Sequence, residues 1–137
     1  MRLTSVVATN STDSVTHIGF IKTTSAARST DGAYFCITGD AIEAVCASNS
    51  VETVHTLPNL TNKAWYTLEI VCNEDGSITL TVYTEAGEVH GSAVIATNIT
   101  SSKIGTGIVS TTTVASVTSM IYIDLLRLST HGIGRHL

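Results

Sequence analysis

Charge is the scarcest resource in this 137-residue chain. Asp, Glu, Lys and Arg together make up 13% of it, about half the share usual in a soluble domain. Seven basic residues stand singly against eleven acidic ones, for a net charge of −4. No basic stripe exists to track phosphates, which argues against nucleic-acid binding. Apolar runs fall far short of the roughly eighteen residues of a membrane-spanning helix, so no membrane role is expected. The opening Met1-Arg2-Leu3-Thr4-Ser5 lacks the apolar stretch of a secretion signal. The expectation is a chain made in the cytoplasm that leaves it only within an assembly. Three cysteines, Cys36, Cys46 and Cys72, make an odd set without CxxC spacing, each inside an apolar run. They read as small buried hydrophobes, not as a disulfide framework or a zinc site. The sequons at Asn10, Asn59 and Asn98 carry no weight without secretion.

Thr, Ser and Val stand where the charges are missing, and hydrophobic residues reach 43%. This is enough for a core, and it is not a disordered composition. Thr and Val favour the pleated, half-buried surface of a strand. Few like charges also means little to hold copies apart, which suits a chain that packs against something.

Alternation of period two is the recurrent pattern. In Ser77–Tyr83, Ile78, Leu80 and Val82 share one face while Thr79 and Thr81 share the other. The preceding run, Trp65–Cys72, places Tyr66, Leu68, Ile70 and Cys72 together. Between them Asn73-Glu74-Asp75-Gly76 predicts a tight hairpin, because Gly accepts a positive φ cheaply. A third strand over about Val89–Ala96 completes a meander. Upstream, Ala33–Thr38 and Ala41–Ala47 flank Gly39-Asp40, and Val51–Thr56 follows. Leu3–Thr9 and Val15–Lys22 come before these, and Ile104–Ser110 and Ser119–Leu128 after. About ten short strands with turn signals roughly every eight to twelve residues predict an all-β sandwich or barrel. The sandwich is expected over 1–128, with 129–137 as an exposed C-terminal arm.

Catalytic chemistry finds little purchase. Glycoside hydrolysis needs two carboxylates facing across a cleft, but most acids here fall in turns, and Glu69 falls on the outward phase of its strand. There is no G-x-S-x-G elbow, and the five histidines are dispersed. His17, His55 and His90 lie in or beside strands. His131 and His136 share the tail without a metal-ligand pattern. Asn73-Glu74-Asp75 is explained by turn chemistry without calcium. Gly105-Thr106-Gly107 is not followed by a helix, so it is no phosphate loop. No enzyme, cofactor or metal is expected. Of seven aromatics, Phe20, Phe35 and Tyr66 read as core, whereas Trp65 and Tyr83 fall on the outward phase of adjacent strands. These two are the candidate contacts for a glycan or a partner.

The order of elements resembles a known family. His17-Ile18-Gly19-Phe20, Asp31-Gly32-Ala33-Tyr34-Phe35, Ala64-Trp65-Tyr66 through Ile70, Asp75-Gly76, Thr97-Asn98-Ile99, Ile104 through Ile108 and Ile121 through Leu126 form one series. It is similar to the concanavalin A-like jelly-roll domains of structural proteins in tailed bacteriophages. The resemblance spans residues 14–128. It implies an antiparallel β-sandwich of jelly-roll type in a virion, decorating or cementing a capsid or forming a tail appendage. Other virion proteins would be its partners, in a homo-oligomer such as a trimer. The alternative is a lectin-like module that attaches to host or surface glycans. Two departures stand out. Such domains usually carry further strands ahead of the Gly-Phe strand, where this chain has about fifteen residues. The expectation is therefore an edge covered, or a strand supplied, by a neighbour. The Glu-x-Asp-x-x-Glu strand of the superfamily's glycosidases is missing.

Overall fold

The computed structural model describes residues 2–9, 14–22, 28–102, 104–112 and 121–129. Ten strands run through them: β1 (Arg2–Thr9), β2 (Ser14–Ile21), β3 (Gly32–Thr38), β4 (Ala41–Ser48), β5 (Val51–Leu57), β6 (Tyr66–Cys72), β7 (Ile78–Thr84), β8 (Val89–Ile95), β9 (Gly105–Thr112) and β10 (Ile121–Ser129). Every run expected from alternation is a strand, with ends displaced by a residue or two. The strands form two five-stranded antiparallel sheets, β10-β1-β6-β7-β8 and β5-β4-β3-β2-β9. The expected antiparallel β-sandwich is therefore the architecture. Among the described residues no helix is long and apolar enough to cross a membrane.

The β6–β7 hairpin forms for the reason its sequence suggests. Gly76 takes φ 84°, and its N–H donates to the Asn73 carbonyl at 3.1 Å. Asp75 Oδ1 accepts from the Ser77 N–H at 2.9 Å and from the Ser77 hydroxyl at 2.6 Å. Register then runs from Tyr66↔Thr84 to Cys72↔Ile78, which turns Leu68, Ile70, Leu80 and Val82 to one face. Phe20, Phe35, Ile37, Ile42 and Ala44 of the second sheet meet them in a single core. Each large side chain buried there contributes about 1.5–3 kcal/mol.

β1 lies inside the first sheet, paired to β10 on one side and to β6 on the other. The edges are β10 and β8 in the first sheet and β5 and β9 in the second. The arm expected over 129–137 starts inside β10, whose last residue is Ser129. Residues 130–137 lie outside the described residues.

The second sheet admits no side chain at Gly19. Its φ is +154°, and a Cβ there would meet the Ala33 carbonyl oxygen at 2.5 Å and Tyr34 Cα at 2.7 Å. At Gly76 the φ is +84°, but nothing lies within 4 Å. Gly76→Ala should therefore cost only the local conformational penalty, about 1–2 kcal/mol. Gly19→Ala should cost clearly more, because backbone must shift. Urea unfolding of the two variants checks this, and equal midpoints would contradict it.

Candidate functional site

β3 does not alternate: Ala33-Tyr34-Phe35-Cys36-Ile37 is apolar throughout, the signature of a strand covered on both faces. Tyr34 is 0% exposed and Cys36 3%. With Ile21, Val45 and Ala47 they make a second apolar cluster on the outer face of the second sheet. Arg28, from the β2–β3 connection, reaches across this face. Its guanidinium pairs with Glu43 of β4 and, at 3.0 Å, with Glu52 of β5. The Tyr34 hydroxyl donates to Glu52 at 3.2 Å. His17 packs edge-on to Tyr34 at 5.3 Å between ring centres, and sits opposite Cys36 in register.

This grouping of His, Cys, Tyr, Glu and Arg was not legible as a site in the sequence, which gave each residue only a strand phase. Burial dominates its electrostatics. Burial pushes the Cys36 thiol up and the His17 imidazole below its ordinary value, with Arg28 adding to the latter effect. A reactive Cys–His pair needs a thiolate beside an imidazolium, and both shifts run the other way. Burial and Glu52 likewise raise the Tyr34 phenol. The grouping works as a clasp that ties the β2–β3 connection to β4 and β5.

The clasp carries a flaw, because His17 Nε2 is buried without a hydrogen-bond partner. Above its ordinary value of 6.5, His17 is neutral folded or unfolded, and stability is complete. Below that value the unfolded chain takes up the proton first, so stability falls until the lower folded value is reached. Urea midpoints should therefore drop between about pH 7 and pH 5. His17→Phe, which keeps a ring against Tyr34, should flatten that slope; an unchanged slope would remove His17 as its source.

At one end of the sandwich Asp31 gathers three segments. Its side chain is 3% exposed. Oδ1 accepts from Thr100 Oγ1 at 2.8 Å and from the Asn49 N–H at 3.2 Å. Oδ2 accepts from Lys22 Nζ at 3.1 Å and from Thr30 Oγ1 at 3.2 Å. These bonds, Thr100 foremost, hold its carboxyl far below the usual carboxylate range. Asp31 thus locks the end of β2, the β4–β5 turn and the β8–β9 connection to one another, where the sequence suggested only a turn residue.

The outer face of the first sheet carries Thr67, Glu69, Thr79, Thr81, Tyr83, Ser92 and Val94. Trp65 lies just ahead of β6, not within it. It precedes by two residues Thr67, which faces Tyr83 in register. The two candidate aromatics thus belong to one corner of this face, and both are half-buried. The Tyr83 hydroxyl donates to Glu69 Oε2 at 3.2 Å, and Arg2 pairs with the other oxygen of that carboxylate. His90 Nε2 lies 3.2 and 3.0 Å from the carbonyl oxygens of Pro58 and Asn59, which places its proton there as a loop tie. Among the described residues no three His, Cys, Asp or Glu side chains are grouped to hold a metal ion.

Two edges have no charge at all: β8, Val89–Ile95, and β9, Gly105–Thr112. The β7–β8 pairing has a register shift at Val82/Tyr83. β9 keeps an unbroken register with β2 from Ser14↔Thr112 to Ile21↔Gly105. Gly105, Thr106 and Ser110 are exposed, and Gly107, Ile108 and Val109 half-buried.

This architecture recurs in solved structures. A protein of unknown function, SO2946 from Shewanella oneidensis MR-1, superposes with a TM-score of 0.73 at 19% identity, over 91% of this chain and 55% of that one. The chain thus spans about half the length of that relative. A mutant of HCR D/C VPI 5995 matches with a TM-score of 0.59 at 12% identity, over 91% of this chain and 31% of that one. The botulinum neurotoxin type G receptor binding domain gives 0.56 at 14% identity, over 91% and 33%. At these identities the likeness is one of fold. No curated protein matches the chain. The family model for the SO2946-like C-terminal domain matches residues 1–124, and the chain belongs to that family.

Proposed function

We propose that this chain is a non-enzymatic structural domain of a tailed-phage virion, a concanavalin A-like jelly roll that decorates the capsid or builds a tail appendage. It joins other virion proteins and copies of itself through protein–protein contacts. The observation that carries this reading is β9. Natural sandwiches blunt their edges with charge, proline or bulges, and β9 has none of these over eight residues. An extended segment of a neighbour can add to such an edge, with main-chain hydrogen bonds supplying the affinity. The low overall charge and the residue series shared with phage jelly rolls point the same way. Burial shifts His17 and Cys36, opposite each other in register, away from their charged forms, which supports a non-enzymatic reading.

Light scattering of the purified chain at several concentrations tests the assembly role. A trimer or larger species is expected for the native chain. Thr106→Lys, an exposed charge on β9, should shift the population to monomer and leave the urea midpoint within about 0.5 kcal/mol of wild type. A monomer at every concentration that also fails to raise the heat stability of virion particles would refute the reading.

A second reading, glycan attachment, draws on Trp65 and Tyr83 sharing a corner of the first sheet and on a neighbour described as a receptor binding domain. On that reading the isolated chain binds a glycan array, and Trp65→Ala lowers the signal at least tenfold. An array that stays blank removes it.

A further inference from the structure

Between the sheets, near Asp31, lies a cavity of about 240 Å³. Phe20 and Ala33 of the second sheet form one wall, and Cys72 and Ile78 of the first sheet face them. Ile99 and Ile104, from the β8–β9 connection, close a third side. We propose that this cavity is a binding site for a small, uncharged, apolar molecule of about one aromatic ring. The inference is independent of the assembly role.

Chemistry and size each restrict the ligand. No charged side chain is among the described residues that line the cavity, and the polar ones are committed elsewhere. Thr100 Oγ1 donates to Asp31 at 2.8 Å and accepts from the Ser102 N–H at 3.0 Å. The Ser102 hydroxyl points to the same Asp31 oxygen at 3.5 Å. Asn73 Nδ2 donates to the hydroxyls of Ser77 and Thr79, both at 2.9 Å. Among the described lining residues a charged ligand would find no counter-ion in exchange for lost water, a cost apolar contact does not offset. As to size, an apolar cavity of about 150 Å³ stays dry and takes up benzene. The present cavity is larger, and apolar side chains from three directions can surround a ring.

The walls are also firm enough to select. Ile99 and Ile104 flank Thr100 and Ser102, and the Asp31 bonds fix that connection against the body of the sandwich. Gly32 and Gly76 complete the lining without side chains.

Cys72 supplies the readout, since it lines the cavity and is half-buried, while Cys36 and Cys46 are 3% and 0% exposed. The native full chain is alkylated with iodoacetamide, and labelling of each cysteine is followed by mass spectrometry. Toluene should slow labelling of Cys72 several-fold and saturably, and should raise the melting temperature. Benzoate, of similar shape but charged, should do neither. Ile104→Trp, which fills the space with its own ring, should label slowly at Cys72 without toluene and show no further protection with it. Labelling of the native chain that ignores toluene, or that benzoate slows equally, overturns the proposal whether or not the variant folds.

Discussion

β3 has water on neither side, and the organisation of the molecule follows from that constraint. Phe35 and Ile37 face the core shared with the first sheet, and Tyr34 and Cys36 face outward yet remain buried. The outer face of the second sheet must therefore be covered from within the chain. Arg28 anchors that cover by pairing with two carboxylates on two further strands. The arrangement buries the middle of that face, while Val54 of β5, opposite Val45 in register, stays 40% exposed. The outer face of the first sheet is rich in Thr and poor in charge.

Seven of the described charges tie elements together. Arg28 with Glu43 and Glu52, Arg2 with Glu69, and Lys22 with Asp31 each tie one element to another. Asp31 is the most committed of them, since its two oxygens serve the β2 end, the β4–β5 turn and the β8–β9 connection at once. The same joint shapes the inter-sheet cavity, because the segment it fixes carries Ile99 and Ile104. The β8 and β9 edges are left without charge, while Glu74, Glu85 and Glu88 stand exposed in or beside turns.

The strands were legible because alternation is local: Ile78, Leu80 and Val82 announce their face within five residues of one another. The Asp75-Gly76 hairpin was legible for the same reason. Sheet membership was less so, since nothing in Leu3–Thr9 says that it lies between a strand from the far end of the chain and one from its middle. The clasp was invisible because His17, Arg28, Glu43 and Glu52 are brought together by register alone. Its one sequence signal is the unbroken apolar run Ala33–Ile37, which does not fit a sheet with one wet face. The sequence offered Trp65 and Tyr83 only as outward phases of adjacent strands. The sequence could not show that Trp65 falls ahead of the strand or that Glu69 engages the Tyr83 hydroxyl.

The pairing of β1 has a consequence in time. Its partners are β6 and β10, so residues 2–9 close against residues 66–71 and 121–129. During synthesis β1 waits for β6 on one side and for β10 on the other. Four strands of the second sheet, β2 to β5, can zip through three successive hairpins without that delay, and β9 joins them at β2 before β10 is made. Long-range closure of this kind is slow because the loop entropy is lost before contacts return it. The half of the sandwich that contains both ends of the described chain is therefore the last to become whole.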